Sequence, residues 1–241
     1  MSLPTTDSPF LVREGDMPLL ITLVHAATLE QSRHGELPER EADDRVKRYE
    51  IALLPLLDAI RGGLAARGGR PHLIIPQIHR SRIDFNRGKL YSGGQRAYDD
   101  PRAEPIYDGF DQLVEATIAQ GLGQGGLLID LHGCTTAEAD LFLGSLNGRT
   151  IAQRAGQANA YDSLRAAMSA QGWRVAPTPG EAETRYRGRA DGVIGRHNLA
   201  PQGGASIQIE VSRYIRVDPT LSARFGDDLA AALIKAVAAK P

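Results

Sequence analysis

Six segments are apolar almost without interruption, at residues 19–24, 72–78, 127–131, 141–146, 173–176 and 206–211. Runs of this length read as strands covered on both faces. Between them lie stretches with helical spacing. Val46, Tyr49, Leu53, Leu56, Leu57 and Ile60 recur on one face of a helix expected over 42–66, with Gly68-Gly69 as its stop. Further helices are expected at 106–120, from the Asn147-Gly148-Arg149-Thr150 turn to about 169, and at 228–238. Two long polar segments, 79–105 and 177–191, lack this periodicity, and loops of such length are usually functional. Alternating strands and helices predict one three-layer αβα domain over 1–241, with a mostly parallel or mixed central sheet.

The residues that close the apolar runs are unusual. The segment from Pro18 stops at His25, that from Leu73 at His79, that from Leu127 at His132, and that from Ser206 at Glu210. Open α/β sheets place their ligands at one such edge. Imidazoles are common zinc ligands, and a catalytic zinc has three protein ligands with a fourth position open. Glu30 follows His25 by five residues, so His25, Glu30 and His132 make a set of two imidazoles and one carboxylate. Taken singly, each histidine reads equally as a hydrogen-bonded interior residue.

Glu210 interrupts the apolar sequence Ile-Gln-Ile-Glu-Val, and a carboxylate there must be paired, hydrogen-bonded or protonated. General base and structural partner of Arg213 or Arg216 are both open at this point. In Asp84-Phe85-Asn86-Arg87, an extended backbone would put Asp84 and Asn86 on one side and Arg87 on the other. Arg87 offers a planar fork suited to a carboxylate, with Asn86 donating beside it. Arg196-His197 is a further anion-binding candidate. Both sets read equally as solvated surface.

Composition narrows the field. The chain has 241 residues, a net charge of −1, 42% apolar and 24% charged residues, so no broad attraction to nucleic acid or anionic membrane is expected. The single cysteine, Cys134, has no activating base beside it in sequence, and one cysteine excludes an internal disulfide. No basic-then-apolar leader opens the sequence and no apolar stretch is long enough for a membrane helix, so a cytoplasmic protein is expected.

In order, Leu-Ile-Thr-Leu-Val-His25-Ala-Ala-Thr, His79-Arg-Ser-Arg-Ile-Asp84-Phe-Asn86-Arg87, Leu-Ile-Asp130-Leu-His132-Gly and Ile-Gln-Ile-Glu210-Val-Ser-Arg213 resemble the N-formylglutamate amidohydrolase family. That family is similar in fold to zinc carboxypeptidases and aspartoacylases. The resemblance implies one zinc ion, with other divalent metals able to replace it, and hydrolysis of an amide next to an acidic amino acid by zinc-activated water. It implies His25 and His132 as metal ligands, Glu210 as general base, and Arg87 with Asn86 at the substrate carboxylate or carbonyl. His79, Arg196 and His197 would add substrate contacts. Val24 and Ala27 depart from the family's Pro-His-Ala-Gly pattern, and Thr28 stands where carboxypeptidase-like enzymes carry a glutamate. Glu30 is then the third ligand, with His79 its rival. A carboxypeptidase-like or poly-γ-glutamate-cleaving peptidase and a non-catalytic anion-binding protein are the alternatives. The expected partner is a small acidic N-acyl amino acid or glutamyl peptide.

Overall fold

A computed structural model describes residues 8–41, 48–90, 95–153 and 158–238. Among these residues seven strands form one sheet: β1 (Phe10–Arg13), β2 (Leu19–Thr22), β3 (His72–Pro76), β4 (Leu127–Cys134), β5 (Leu141–Gly144), β6 (Val175–Ala176) and β7 (Ala205–Ser212). Their spatial order is β1-β3-β2-β4-β7-β5-β6. The central strands β3, β2, β4 and β7 are parallel, whereas β1 pairs antiparallel with β3 and β5 antiparallel with β7. The sheet is therefore mixed, as expected. The edge strand β1 is an addition to the sequence reading.

The helices are α1 (Leu53–Ala66), α2 (Glu104–Thr117), α3 (Ala160–Ala170), α4 (Val193–Arg196), α5 (Arg213–Val217) and α6 (Pro219–Ala238). Side chains alternate across the strands and sort into two layers. Leu19, Ile21, Ile129, Leu131, Ile207 and Ile209 face a core completed by Leu56 and Ile60 of α1, Leu164 of α3 and Leu229 of α6. On the other face Leu20, Ile74 and Leu128 meet Phe85 and the α2 residues Tyr107, Phe110 and Val114. The three layers follow from this division.

Several boundaries differ from the periodicity. The helix expected over 42–66 starts at Leu53, and the part at 42–47 lies outside the described residues. Pro55 explains the late start: proline fits the first turn, but in a helix interior it removes a hydrogen bond and clashes with the preceding turn. Ala52, with φ 60°, marks the entry. The strand expected over 141–146 ends at Gly144, because Leu146 and Asn147 turn into the left-handed region. The helix expected from about 147 begins at Ala160, where the Asn159 side chain accepts from the Asp162 amide; its expected part at 154–157 lies outside the described residues. The last helix starts at Pro219 rather than 228. The segment 79–88, which could have been extended, runs through turns and buries Phe85.

α1 and α6 touch almost backbone to backbone. A Cβ on Gly226 would lie 2.5 Å from Ala59 Cβ and 3.0 Å from Ile60 N. Gly226→Val should therefore cost about 1–3 kcal/mol through overpacking. Urea denaturation checks this, and a midpoint equal to that of the wild type would show that the two helices can separate freely.

Candidate metal and substrate site

The sheet builds the site from the residues that replace apolar ones at the carboxyl ends of β4 and β7. Asp130 and His132 alternate with Ile129 and Leu131, while Gln208 and Glu210 alternate with Ile207 and Ile209. Asp130 is in register with Gln208, and His132 with Glu210. Four polar side chains thus share one face of two neighbouring strands.

His25, just past β2, and His132 stand 4.7 Å apart between ring centroids. Their Nδ1 atoms converge on one carboxylate, that of Glu50, at 2.9 Å for His25 and 3.4 Å for His132. Each Nε2 meets a fully buried aspartate: Asp84 lies 2.8 Å from His25 and Asp130 lies 2.7 Å from His132. Thr22 Oγ1 donates to the other oxygen of Asp130 at 2.7 Å. A carboxylate on the far nitrogen fixes the ring orientation, so that Nδ1 is the atom each ring turns toward Glu50. Asp84 is held in turn by Arg80 at 2.9 Å and Arg40 at 3.4 Å.

Glu50 sits in the irregular stretch before α1. Its amide donates to His25 O at 2.9 Å, and its Oε2 accepts from the Gly133 amide at 2.8 Å. Arg216, 4% exposed, ties this stretch down by donating to Val211 O, Cys134 O and Ile51 O. Gly133 is required here, since a Cβ on it would lie 2.2 Å from the Arg216 guanidinium carbon.

His25, Glu50 and His132 each offer a ligand atom within 4.8 Å of the others. Two imidazoles and one carboxylate gathered in this way form a donor set able to hold a divalent metal ion. Burial raises the Glu50 pKa, but the His132 and His25 rings outweigh it and hold the group well below the carboxylate range. Burial works against charge on His132, yet Asp130 and Glu50 hold its pKa well above 6.5. Burial also lifts Glu210, to about 8, with Glu50 and Asp130 adding to the rise and His132 opposing it.

These residues form the floor of a cleft of about 1140 Å³. Seven arginines line it: Arg48, Arg80, Arg87, Arg187, Arg189, Arg213 and Arg216. Arg189 is paired with Asp191, and Arg87 donates to Gln95 and to Asn86 O. Arg187 and Arg213 are exposed, without a side-chain partner among the described residues.

The residues named from sequence separate clearly. His25, His132, Glu210, Asn86, Arg87 and His79 all line the cleft. Glu30 is exposed and lies outside the three-donor cluster, where Glu50 takes that place. His79 also stays out of the cluster, with its Nδ1 2.8 Å from Ser81 Oγ. Arg196 and His197 do not line the cleft. Arg196 donates to Asp111, Asp191 O and Phe85 O, stacks over Tyr107, and leaves His197 to bond Asp111 at 2.9 Å. Their donors brace α4 against α2. Asp84 supports His25. Burial pushes the Cys134 thiol up to about 11, which keeps it protonated and unreactive near neutrality.

No protein-family model and no curated protein matches the sequence. Solved structures do. An N-formylglutamate amidohydrolase from Ralstonia eutropha JMP134 superposes with TM-score 0.67 at 15% identity, over 96% of this chain and 98% of that one. The chain has the N-formylglutamate amidohydrolase fold. The gene product Atu2144 from Agrobacterium tumefaciens gives TM-score 0.66 at 16% identity, over 95% of this chain and 93% of its own. A metallo-carboxypeptidase from Pseudomonas aeruginosa matches with TM-score 0.49 at 13% identity, over 93% of this chain and 59% of its own.

The raised pKa of Glu210 has a consequence for stability. Between about pH 4.5 and 8 the folded protein keeps this proton and the unfolded chain has lost it. Raising the pH through that window therefore favours unfolding, by up to about 1.4 kcal/mol per pH unit. In chelator-treated protein, Glu210→Gln should gain stability over the wild type as pH rises from 5 to 8. Denaturation at several pH values tests this, and parallel wild-type and variant curves would contradict the shift.

Proposed function

We propose that the protein is a metal-dependent amidohydrolase, with zinc as the ion, that cleaves the amide bond of an N-acyl acidic amino acid such as N-formylglutamate. The observation that carries this reading is the convergence of His25, Glu50 and His132 in an arginine-lined cleft that also holds the buried Glu210. The amidohydrolase fold supports it.

His25, Glu50 and His132 would hold the ion. When bound, zinc supplies Lewis acidity, lowering the pKa of water and polarising a carbonyl. Glu210 acts as the base that takes a proton from the attacking water and then returns it to the leaving nitrogen. Burial lifts the Glu210 pKa toward the working pH and a cation held nearby would draw it back down, so the group could be ionised to take a proton and still return it. Arg87, half-buried with two of its nitrogens already engaged, presents its remaining donor to negative charge on the substrate. Asn86 is held by its Oδ1, which accepts from the Val193 amide at 3.0 Å, so its Nδ2 is fixed in the cleft beside His132. Arg187 and Arg213 at the mouth favour an acidic substrate over a neutral one.

The size of the cleft favours a second reading. A volume of about 1140 Å³ exceeds the upper end of ordinary small-ligand pockets, and a formylated amino acid would leave most of it empty. A glutamyl peptide cleaved by the same chemistry would fill it better. A formate-release assay on N-formyl amino acids, run beside amine release from glutamyl peptides, separates the two.

Glu210→Gln should lower kcat by about 10²-fold or more on the true substrate while the bound metal is retained. Turnover and metal content of the same preparation are the measurements. Undiminished turnover would remove Glu210 from the base role.

A further inference from the structure

Gln208 lies two residues before Glu210 on the same face of β7 and is 5% exposed. Its two amide atoms have different fates. Nε2 donates to Glu210 Oε1 at 3.0 Å. Oε1 is buried and has no hydrogen-bond partner among the described residues. Buried acceptors in folded proteins are nearly always paired, so an orphan on a residue that lines a cleft points to a donor that arrives with a ligand.

The surroundings offer none. On one side the register partner of Gln208 is Asp130, an acceptor already engaged by Thr22 and His132. On the other side it is Gly144, which carries no side chain. The backbone of Tyr186 and Arg187 fills the space over Gly144, where a Cβ would come within 2.2 Å of Tyr186 O. Gly188, with φ +80°, passes close to the amide: a Cβ there would stand 3.7 Å from Gln208 Oε1 and 2.4 Å from Ile194 Cδ1. Gln208, Gly188 and Glu210 all line the same cleft.

We propose that Gln208 recognises the N–H of the substrate's scissile amide, its Oε1 accepting that hydrogen while its Nε2 holds Glu210. This rests on the hydrolase reading above and assigns a specificity it does not contain, for amides over esters. Water gives its hydroxyl to the acyl carbon and a proton to Glu210. The C–N bond breaks with its electron pair on nitrogen, and nitrogen receives that proton. With the N–H fixed on Gln208, the nitrogen is held beside the group that protonates it. A glutamine suits this position because a neutral acceptor does not repel the adjacent carboxylate.

The test compares N-formyl-L-glutamate with its ester counterpart, the O-formyl derivative of (S)-2-hydroxyglutarate, on zinc-loaded wild type and Gln208→Met. Methionine keeps the length of the side chain and removes both polar atoms. Losing the hold on Glu210 slows both substrates, whereas losing the N–H acceptor slows only the amide. The amide-to-ester ratio of kcat/KM should fall about tenfold in the variant. Equal losses on both substrates, with the wild type active, would overturn this inference and leave the hydrolase reading intact. A wild type inactive on both would overturn the N-formylglutamate reading and this inference with it. Should Gln208→Met not fold, the wild type alone decides: N-formyl-N-methyl-L-glutamate must be at least about tenfold poorer than N-formyl-L-glutamate, and equal turnover overturns the proposal.

Discussion

The contact on which the site depends is the Glu50 carboxylate set between two imidazoles. His25 and His132 would each turn freely without their aspartates, and burying Asp84 and Asp130 unpaired would be costly. The buried pairs 84–25 and 130–132 settle both problems at once, because each carboxylate gains a partner and each ring loses its freedom. Glu50 then closes the cluster from outside the sheet. Arg80 and Arg40 offset the remaining negative charge at Asp84. A group of carboxylates this dense, with three donors aimed at one another, is an environment that stabilises a small cation.

The fold supplies this geometry through alternation. One face of β4 and β7 is wholly apolar and packs under α1, α3 and α6. The opposite face starts with Leu128 and Ser206 and then carries Asp130, His132, Gln208 and Glu210. The rigid centre of a parallel sheet thus holds the proton-transfer and imidazole groups. The pieces that come from loops are fastened separately: Glu50 through Arg216 and the Gly133 amide, and Asn86 through the Val193 amide. Precision where chemistry is proposed comes from strands, and breadth of recognition from the arginine-bearing loops around them.

Much of this was legible in the sequence, for physical reasons. A continuous apolar run ending in a charged or ring side chain reads as a buried strand that carries a polar group to the sheet edge, and His25, His132 and Glu210, read that way, all line the cleft. Glu50 was hidden because Val46, Tyr49 and Leu53 continue the period of α1 backwards across it. Pro55 carried the missing signal, since a helix interior at that point excludes it. Glu30 was favoured by nearness in sequence, which says nothing of where a loop returns. Arg196 and His197 looked available because their partner, Asp111, lies about 85 residues earlier on α2. Gln208 gave no sign at all: only three-dimensional packing shows that one of its amide atoms lacks a partner.

The most direct measurement is zinc binding to three metal-free proteins, the wild type, Glu50→Ala and Glu30→Ala, by titration calorimetry. The account predicts one site of equal affinity in the wild type and Glu30→Ala, weakened by at least about 100-fold in Glu50→Ala. Unchanged affinity in Glu50→Ala, or a loss confined to Glu30→Ala, would contradict it.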